Sequence, residues 1–116
     1  MNNGRQVAVQ ALLRVETADS YSNIVLDRLL ESSRLSARDR AFSSALFYGV
    51  LEKKLTLDYV ISQYSSLPFG KMDPLVRQLL RLAIYQIVYM DGVPESAAVN
   101  ESVELAKKMG KGRAAG

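Results

Sequence analysis

Residues 73–90 read Asp-Pro-Leu-Val-Arg-Gln-Leu-Leu-Arg-Leu-Ala-Ile-Tyr-Gln-Ile-Val-Tyr-Met. Asp73 followed by Pro74 is a helix start. The carboxylate can accept from an open amide of the first turn, and the proline ring has a φ already suited to it. From Pro74 to Met90 apolar residues fall nearly all round a helical wheel, which predicts a helix at the centre of a bundle and not on its surface. Arg81 and Gln86 interrupt the most apolar stretch, Leu79 to Met90, which is too short to span a bilayer. Asp91-Gly92-Val93-Pro94 ends the helix.

Helical spacing continues outward on both sides of this segment. Towards the C-terminus, a helix over about Ser96–Met109 turns Ala98, Val99, Val103 and Ala106 inward and Glu101, Glu104, Lys107 and Lys108 outward. Towards the N-terminus, Ser65–Met72 reads as a loop, and Thr56 caps a short helix carrying Leu57, Val60, Ile61 and Tyr64. Ser36, with Asp39 three residues on, resembles a capping box and opens a helix with the stripe Ala41, Phe42, Ala45, Leu46, Gly49 and Val50. Its small residues, Ala41, Ala45 and Gly49, would let another helix come close. A helix over about Asn23–Ser33, capped by Ser22, buries Val25, Leu26, Leu29 and Leu30. The first helix, about Arg5–Ala18, buries Ala8, Ala11, Leu12 and Val15 and shows Gln6, Gln10 and Arg14 to water. No stretch alternates with period two, and no Asn-Gly or Asp-Gly joins two such stretches into a hairpin. The fold class is therefore all-α, one bundle of about six helices. Residues 1–109 form the domain, and 110–116 a flexible basic tail.

Composition narrows the chemistry. The 116-residue chain is 48% hydrophobic with seven Gly and three Pro, enough to bury one core without staples. It has no Cys and no His, which removes disulfides, thiolate sites and the commonest general base and metal ligand. The N-terminus lacks the apolar run of a signal peptide, so a soluble cytoplasmic protein is expected. The net charge of +3 is unevenly spread. Lys107, Lys108, Lys111 and Arg113 all follow the last acid, Glu104, and the rest of the chain balances at 11 basic against 12 acidic residues. Global charge is thus weak evidence for nucleic acid, and local clusters must carry any such argument.

Specific strings add to this. Arg5-Gln-Val-Ala-Val-Gln-Ala-Leu-Leu13, Tyr21-Ser-Asn23, Arg38-Asp-Arg-Ala-Phe42, Leu46-Phe-Tyr-Gly-Val-Leu51, Leu55-Thr-Leu-Asp-Tyr59, Met72-Asp-Pro74, Leu79-Leu-Arg-Leu-Ala-Ile-Tyr-Gln86 and Val93-Pro94, then Ala98-Val-Asn-Glu101 to Glu104-Leu-Ala-Lys107, occur in this order. Together they resemble the NusB family. Tyr21-Ser-Asn23, and Leu57-Asp-Tyr59 followed by Lys71-Met-Asp-Pro74, are closer to the NusB-like N-terminal domain of ribosomal RNA small-subunit (cytosine-5) methyltransferases of the RsmB or Sun type. The antitermination factors of the family usually carry Glu where this chain has Gln86. The resemblance implies a NusB-like bundle that binds RNA through an arginine-rich N-terminal segment, whose last arginine Arg5 matches. Asn2-Asn3-Gly4 stand where the family often has further arginines, which implies weaker affinity. It also implies a following helix and a Rossmann-like catalytic domain that would hold S-adenosylmethionine. No cofactor or metal is expected in this chain, which has no Gly-rich strand-to-helix turn.

The candidate RNA-binding residues are Arg5 and Arg14 on the first helix, then Arg34, Arg38 and Arg40 with Lys53 and Lys54 at the far end of the same helix, then Lys107 and Lys108. Arg forks suit phosphate, but each group also has a plainer reading. Arg5 and Arg14 can be solvated, and Arg38 or Arg40 can pair with Asp39 or Asp58. Arg77, Arg81, Tyr85 and Tyr89 share one side of the central helix, where they can stack bases, pack neighbouring helices or meet a catalytic domain. Asn100-Glu101 reads as a capping or buried polar pair. Three functions fit. The first is a non-catalytic docking domain that positions ribosomal RNA for a catalytic domain of the same protein. The second is a transcription antitermination factor that binds RNA with a ribosomal protein, and the third a protein-interaction or homodimerisation module. No membrane partner is expected.

Overall fold

The start of the central helix is built as its sequence dictates. The Asp73 carboxylate accepts from the Leu75 amide at 2.9 Å, and Pro74 occupies the first turn. The Ser36 hydroxyl accepts from the Asp39 amide at 3.1 Å and caps another helix in the same way. The computed structural model describes residues 3–18, 22–64, 71–90 and 92–109. Six helices follow in order: α1 (Gly4–Ala18), α2 (Ser22–Ser33), α3 (Ala37–Glu52), α4 (Lys54–Tyr64), α5 (Pro74–Tyr89) and α6 (Glu95–Lys108). No strand occurs among the described residues, and no helix is long and apolar enough to cross a membrane.

Helix α5 lies against α1, α3, α4 and α6. It runs antiparallel to α1. Arg77 and Gln78 near its start meet Glu16, whereas Gln86 near its end meets Arg5. The main core gathers Val7, Ala8, Ala11 and Leu12 of α1, Val25, Leu26 and Leu30 of α2, Leu46, Phe47 and Val50 of α3, Leu57 of α4 and Leu82 of α5. A smaller core joins Val9 of α1 to Leu75 and Leu79 of α5 and Leu105 and Ala106 of α6. Each large side chain fully withdrawn from water contributes about 1.5–3 kcal/mol.

Several faces differ from the sequence expectation. Ala41 and Ala45 are exposed, and α3 buries Ser43 and Phe47 instead. Of the small-residue stripe only Gly49 is buried, and a Cβ there would overlap the Tyr85 ring of α5. Gln6 is buried although it was expected on the polar edge, because α1 is covered by α2, α3 and α5, and its side-chain oxygen accepts from Lys108 of α6. Val99 is exposed, and Leu105 takes its place inside α6. Helix α4 begins at Lys54, with the Leu57 amide bonded to the Lys53 carbonyl at 2.9 Å, so Thr56 is inside the helix and not its cap. Asn100-Glu101 lies within α6 and is not a buried pair, since Asn100 is exposed. The loop expected from Ser65 lies mainly outside the described residues, as does the tail over 110–116.

Candidate nucleic-acid interface

The first turn of α1 is where separate basic segments meet. Asn3 caps it, its side-chain oxygen accepting from the Gln6 amide at 2.8 Å. Gly4 follows, and a Cβ there would stand 3.1 Å from both the Asp39 carbonyl and the Phe42 ring. A side chain there would press α3 away by a few tenths of an ångström, so glycine lets α1 settle closely on the first turns of α3. Arg38 and Arg40 flank that Asp39, and both are exposed.

Arg5 is half-buried and is held from two sides. Its Nε donates to the Gln86 side-chain oxygen at 2.7 Å, and its guanidinium lies 5.1 Å from the centre of the Phe42 ring. Gln86 is wholly buried, and its Nε2 donates to the Leu82 carbonyl at 3.0 Å, which fixes the direction of the amide. Among the described residues Arg5, Arg38 and Arg40 form no ion pair. Lys108 of α6 also reaches this turn, its ammonium donating to the Gln6 side-chain oxygen at 3.0 Å.

The other candidates lie elsewhere. Arg14 is nine residues further along α1, about 14 Å by helical rise, and is exposed beside Leu13 and Thr17. Arg34 is exposed in the turn between α2 and α3 with φ 58°, a left-handed conformation that L side chains seldom adopt. Lys53 and Lys54 stand beyond the opposite end of α3, about 20 Å from Arg40 by the same rise. Lys53 lies 5.4 Å from the Tyr89 ring centre and 4.0 Å from Glu52, while Lys54 is exposed. Lys107 is exposed, but Glu101 and Glu104 line the same groove as Lys107 and Lys108, so the α6 side is of mixed charge.

The stripe on α5 packs against neighbouring helices over Arg77, Arg81 and Tyr85, while Tyr89 is exposed. Arg81 is 3% exposed and meets Asp58 with two hydrogen bonds, Nε to Oδ1 at 2.6 Å and Nη2 to Oδ2 at 2.9 Å. Glu16 lies 3.6 Å from Arg81 and 3.1 Å from Arg77, and Gln78 donates to it as well. Asp58 is thereby engaged by Arg81 and not by Arg38 or Arg40. Tyr85 covers Gly49 and stacks on Tyr89 with ring centres 5.3 Å apart. An apolar groove between α5 and α6, lined by Leu79, Leu80, Ala83, Val99 and Val103 among others, carries no charged side chain. No cluster of three or more His, Cys, Asp or Glu among the described residues could hold a metal.

Sequence reasoning named Arg5 as a candidate but not the side chains that hold it. Phe42 reads as core, and Gln86 reads as a polar break in an apolar run. That break is the available signal, since a polar residue facing inward must find a partner.

The family model described as NusB family matches residues 2–116. The chain belongs to the NusB family. Among its NusB relatives, the transcription antitermination protein NusB of Bacillus velezensis is 36% identical over 114 residues, covering 96% of this chain and 83% of that protein. A probable ribosomal RNA small subunit methyltransferase B of Synechocystis sp. is 43% identical over 110 residues, 95% of this chain. The chain spans about a quarter of that methyltransferase's length. In fold it matches the NusB-containing crystal structure of antitermination factors NusB and NusE in complex with dsRNA. The TM-score is 0.88 at 16% identity, over 97% of this chain and 84% of that one.

Proposed function

We propose that this NusB domain docks RNA without catalysing a reaction, through the exposed face formed by the first turns of α1 and α3. One observation carries the reading: Gly4 sets Arg5 beside the first turns of α3, which carry the exposed Arg38 and Arg40, and no carboxylate among the described residues pairs with any of the three. Unneutralised guanidinium groups on a rigid surface are what phosphate contacts need. The names of its relatives and structural neighbours support RNA as the partner.

In the fuller form of this proposal the RNA is ribosomal, and the domain holds it for an S-adenosylmethionine-dependent methyltransferase domain of the same cytoplasmic protein. The higher identity to the methyltransferases favours this form. Methyl transfer in this reading belongs wholly to another domain. The match to 83% of an antitermination protein favours a second form, an antitermination factor acting with a ribosomal protein. The length of the parent reading frame separates the two. Several hundred further residues favour the methyltransferase.

The shared claim is tested by titrating the domain with a short RNA hairpin at increasing salt. Three phosphate contacts predict a log–log slope of roughly 2–3, and Arg38→Glu with Arg40→Glu should remove at least roughly 1.4 of it while helix content stays unchanged. Salt-independent binding, or a folded double variant with undiminished affinity, would refute the proposal.

A further inference from the structure

We propose that Tyr89 is a stacking platform for one unpaired base of the bound RNA, set beside the arginines that take its phosphates. The inference rests on the RNA-docking reading above and adds to it the kind of RNA recognised, a strand with a base free of pairing.

The packing of α5 on α3 puts the ring in place. A Cβ at position 49 would overlap the Tyr85 ring, so Tyr85 lies against the Gly49 backbone. Earlier residues of α5, Gln78 and Arg81, share a cavity with Val50 and Leu51 at the end of α3. The two helices are therefore antiparallel, and Tyr89, one turn beyond Tyr85, stands beside the part of α3 between Gly49 and Arg38. Ala41 and Ala45 are exposed on that part and put no bulk between the ring and Arg38. Arg38 and Ala45 are about 10 Å apart by helical rise.

Tyr85 backs Tyr89, with ring centres 5.3 Å apart and planes at 28°. Tyr89 itself is 39% exposed. A ring already held in one orientation gives up little freedom when a base lies on it. The Lys53 ammonium, 5.4 Å from the ring centre, adds positive charge on the same side as Arg38. Single-stranded nucleic acid sites combine these two features, cations along the backbone and aromatic faces under the bases. The cations favour a polyanion over a protein surface as the occupant. A base inside a duplex has both faces covered by its neighbours, so only an unpaired one can lie on the ring.

The test uses the whole 116-residue chain, an RNA hairpin with an unpaired loop and a blunt RNA duplex with the same number of phosphates. The chain has no Trp, so Tyr89→Trp carries a single indole. Its fluorescence should be quenched by the hairpin and not by the duplex. Tyr89→Ala should weaken hairpin binding by about 5- to 150-fold and leave duplex binding unaltered. It should also leave the log–log salt slope as it was, since stacking neutralises no phosphate. Tyr89→Phe, which keeps the aromatic face, should bind as the unaltered chain does. If Arg38→Glu/Arg40→Glu loses affinity while Tyr89→Ala does not and the indole stays unquenched, the platform is wrong and the docking face stands. If Tyr89→Ala weakens hairpin and duplex alike and lowers the urea midpoint, the ring is structural and the platform is again wrong. If the unaltered chain binds neither RNA, both fall.

Discussion

Two arginines on two adjacent helices meet the interior of this protein in opposite ways. Arg81 is buried, doubly bonded to Asp58 and close to Glu16, so its charge is spent inside the fold. Arg5 is half-buried and is held by an amide and a ring, neither of which carries a charge. A buried ion pair chiefly restricts how helices fit together and adds little net stability over an apolar contact. A charge supported but not neutralised keeps its field for a partner. The identity of the partner side chain, more than burial, thus separates an arginine that builds the fold from one that can serve function.

The largest effect should come from breaking the first of these arrangements. Asp58→Ala removes both oxygens that accept from the buried Arg81 Nε and Nη2, and unfolding free energy should drop by about 3 kcal/mol although Glu16 and Gln78 stay beside it. RNA affinity per folded molecule should not change. Urea unfolding paired with binding at low denaturant measures both, and a loss of affinity would show that the two regions are coupled.

A smaller effect is expected where α3 begins. Ser36→Ala removes the oxygen that accepts from the Asp39 amide and should lower stability by about 1 kcal/mol. Because Arg38 and Arg40 sit in that first turn, hydrogen exchange of residues 37–40 should accelerate and RNA binding should weaken slightly. Exchange that is unaltered there would mean the turn is held by its contact with Gly4 alone.

The smallest effect is predicted beyond the other end of α3. Lys54 is exposed and lies about 20 Å from Arg40 by helical rise. Lys54→Gln should change the salt slope by less than the roughly 0.7–0.9 of one phosphate contact. A full unit lost in the salt titration would extend the interface along the whole of α3.

Much of the frame was legible in the residues. The caps at Ser36 and Asp73, the central place of α5 and the all-helical class follow from local chemistry and apolar spacing. Which face of a helix points inward was less legible, because that depends on the neighbours. Ala41 and Ala45 satisfy a buried periodicity yet face water, and Gln6 satisfies a polar one yet lies under Lys108. The arginines of the proposed site could be named from sequence, but their grouping could not. It needs Gly4 to bring α1 onto α3, and a residue 81 positions away to aim Arg5. Asp58 shows the same point from the other side. Sequence offered it as a partner for Arg38 or Arg40, and the fold gives it to Arg81.

Nuclear magnetic resonance mapping tests the central claim most directly. An RNA hairpin titrated into the isotope-labelled domain should shift the amides of residues 4–6 and 37–42 and the Arg5 Nε–H, in proportion to occupancy and reversibly with salt. The amides around Asp58 and Arg81, and those lining the apolar groove between α5 and α6, should stay in place. Shifts confined to that groove or to α4, with the first turns of α1 and α3 silent, would contradict the assignment of RNA docking to this face.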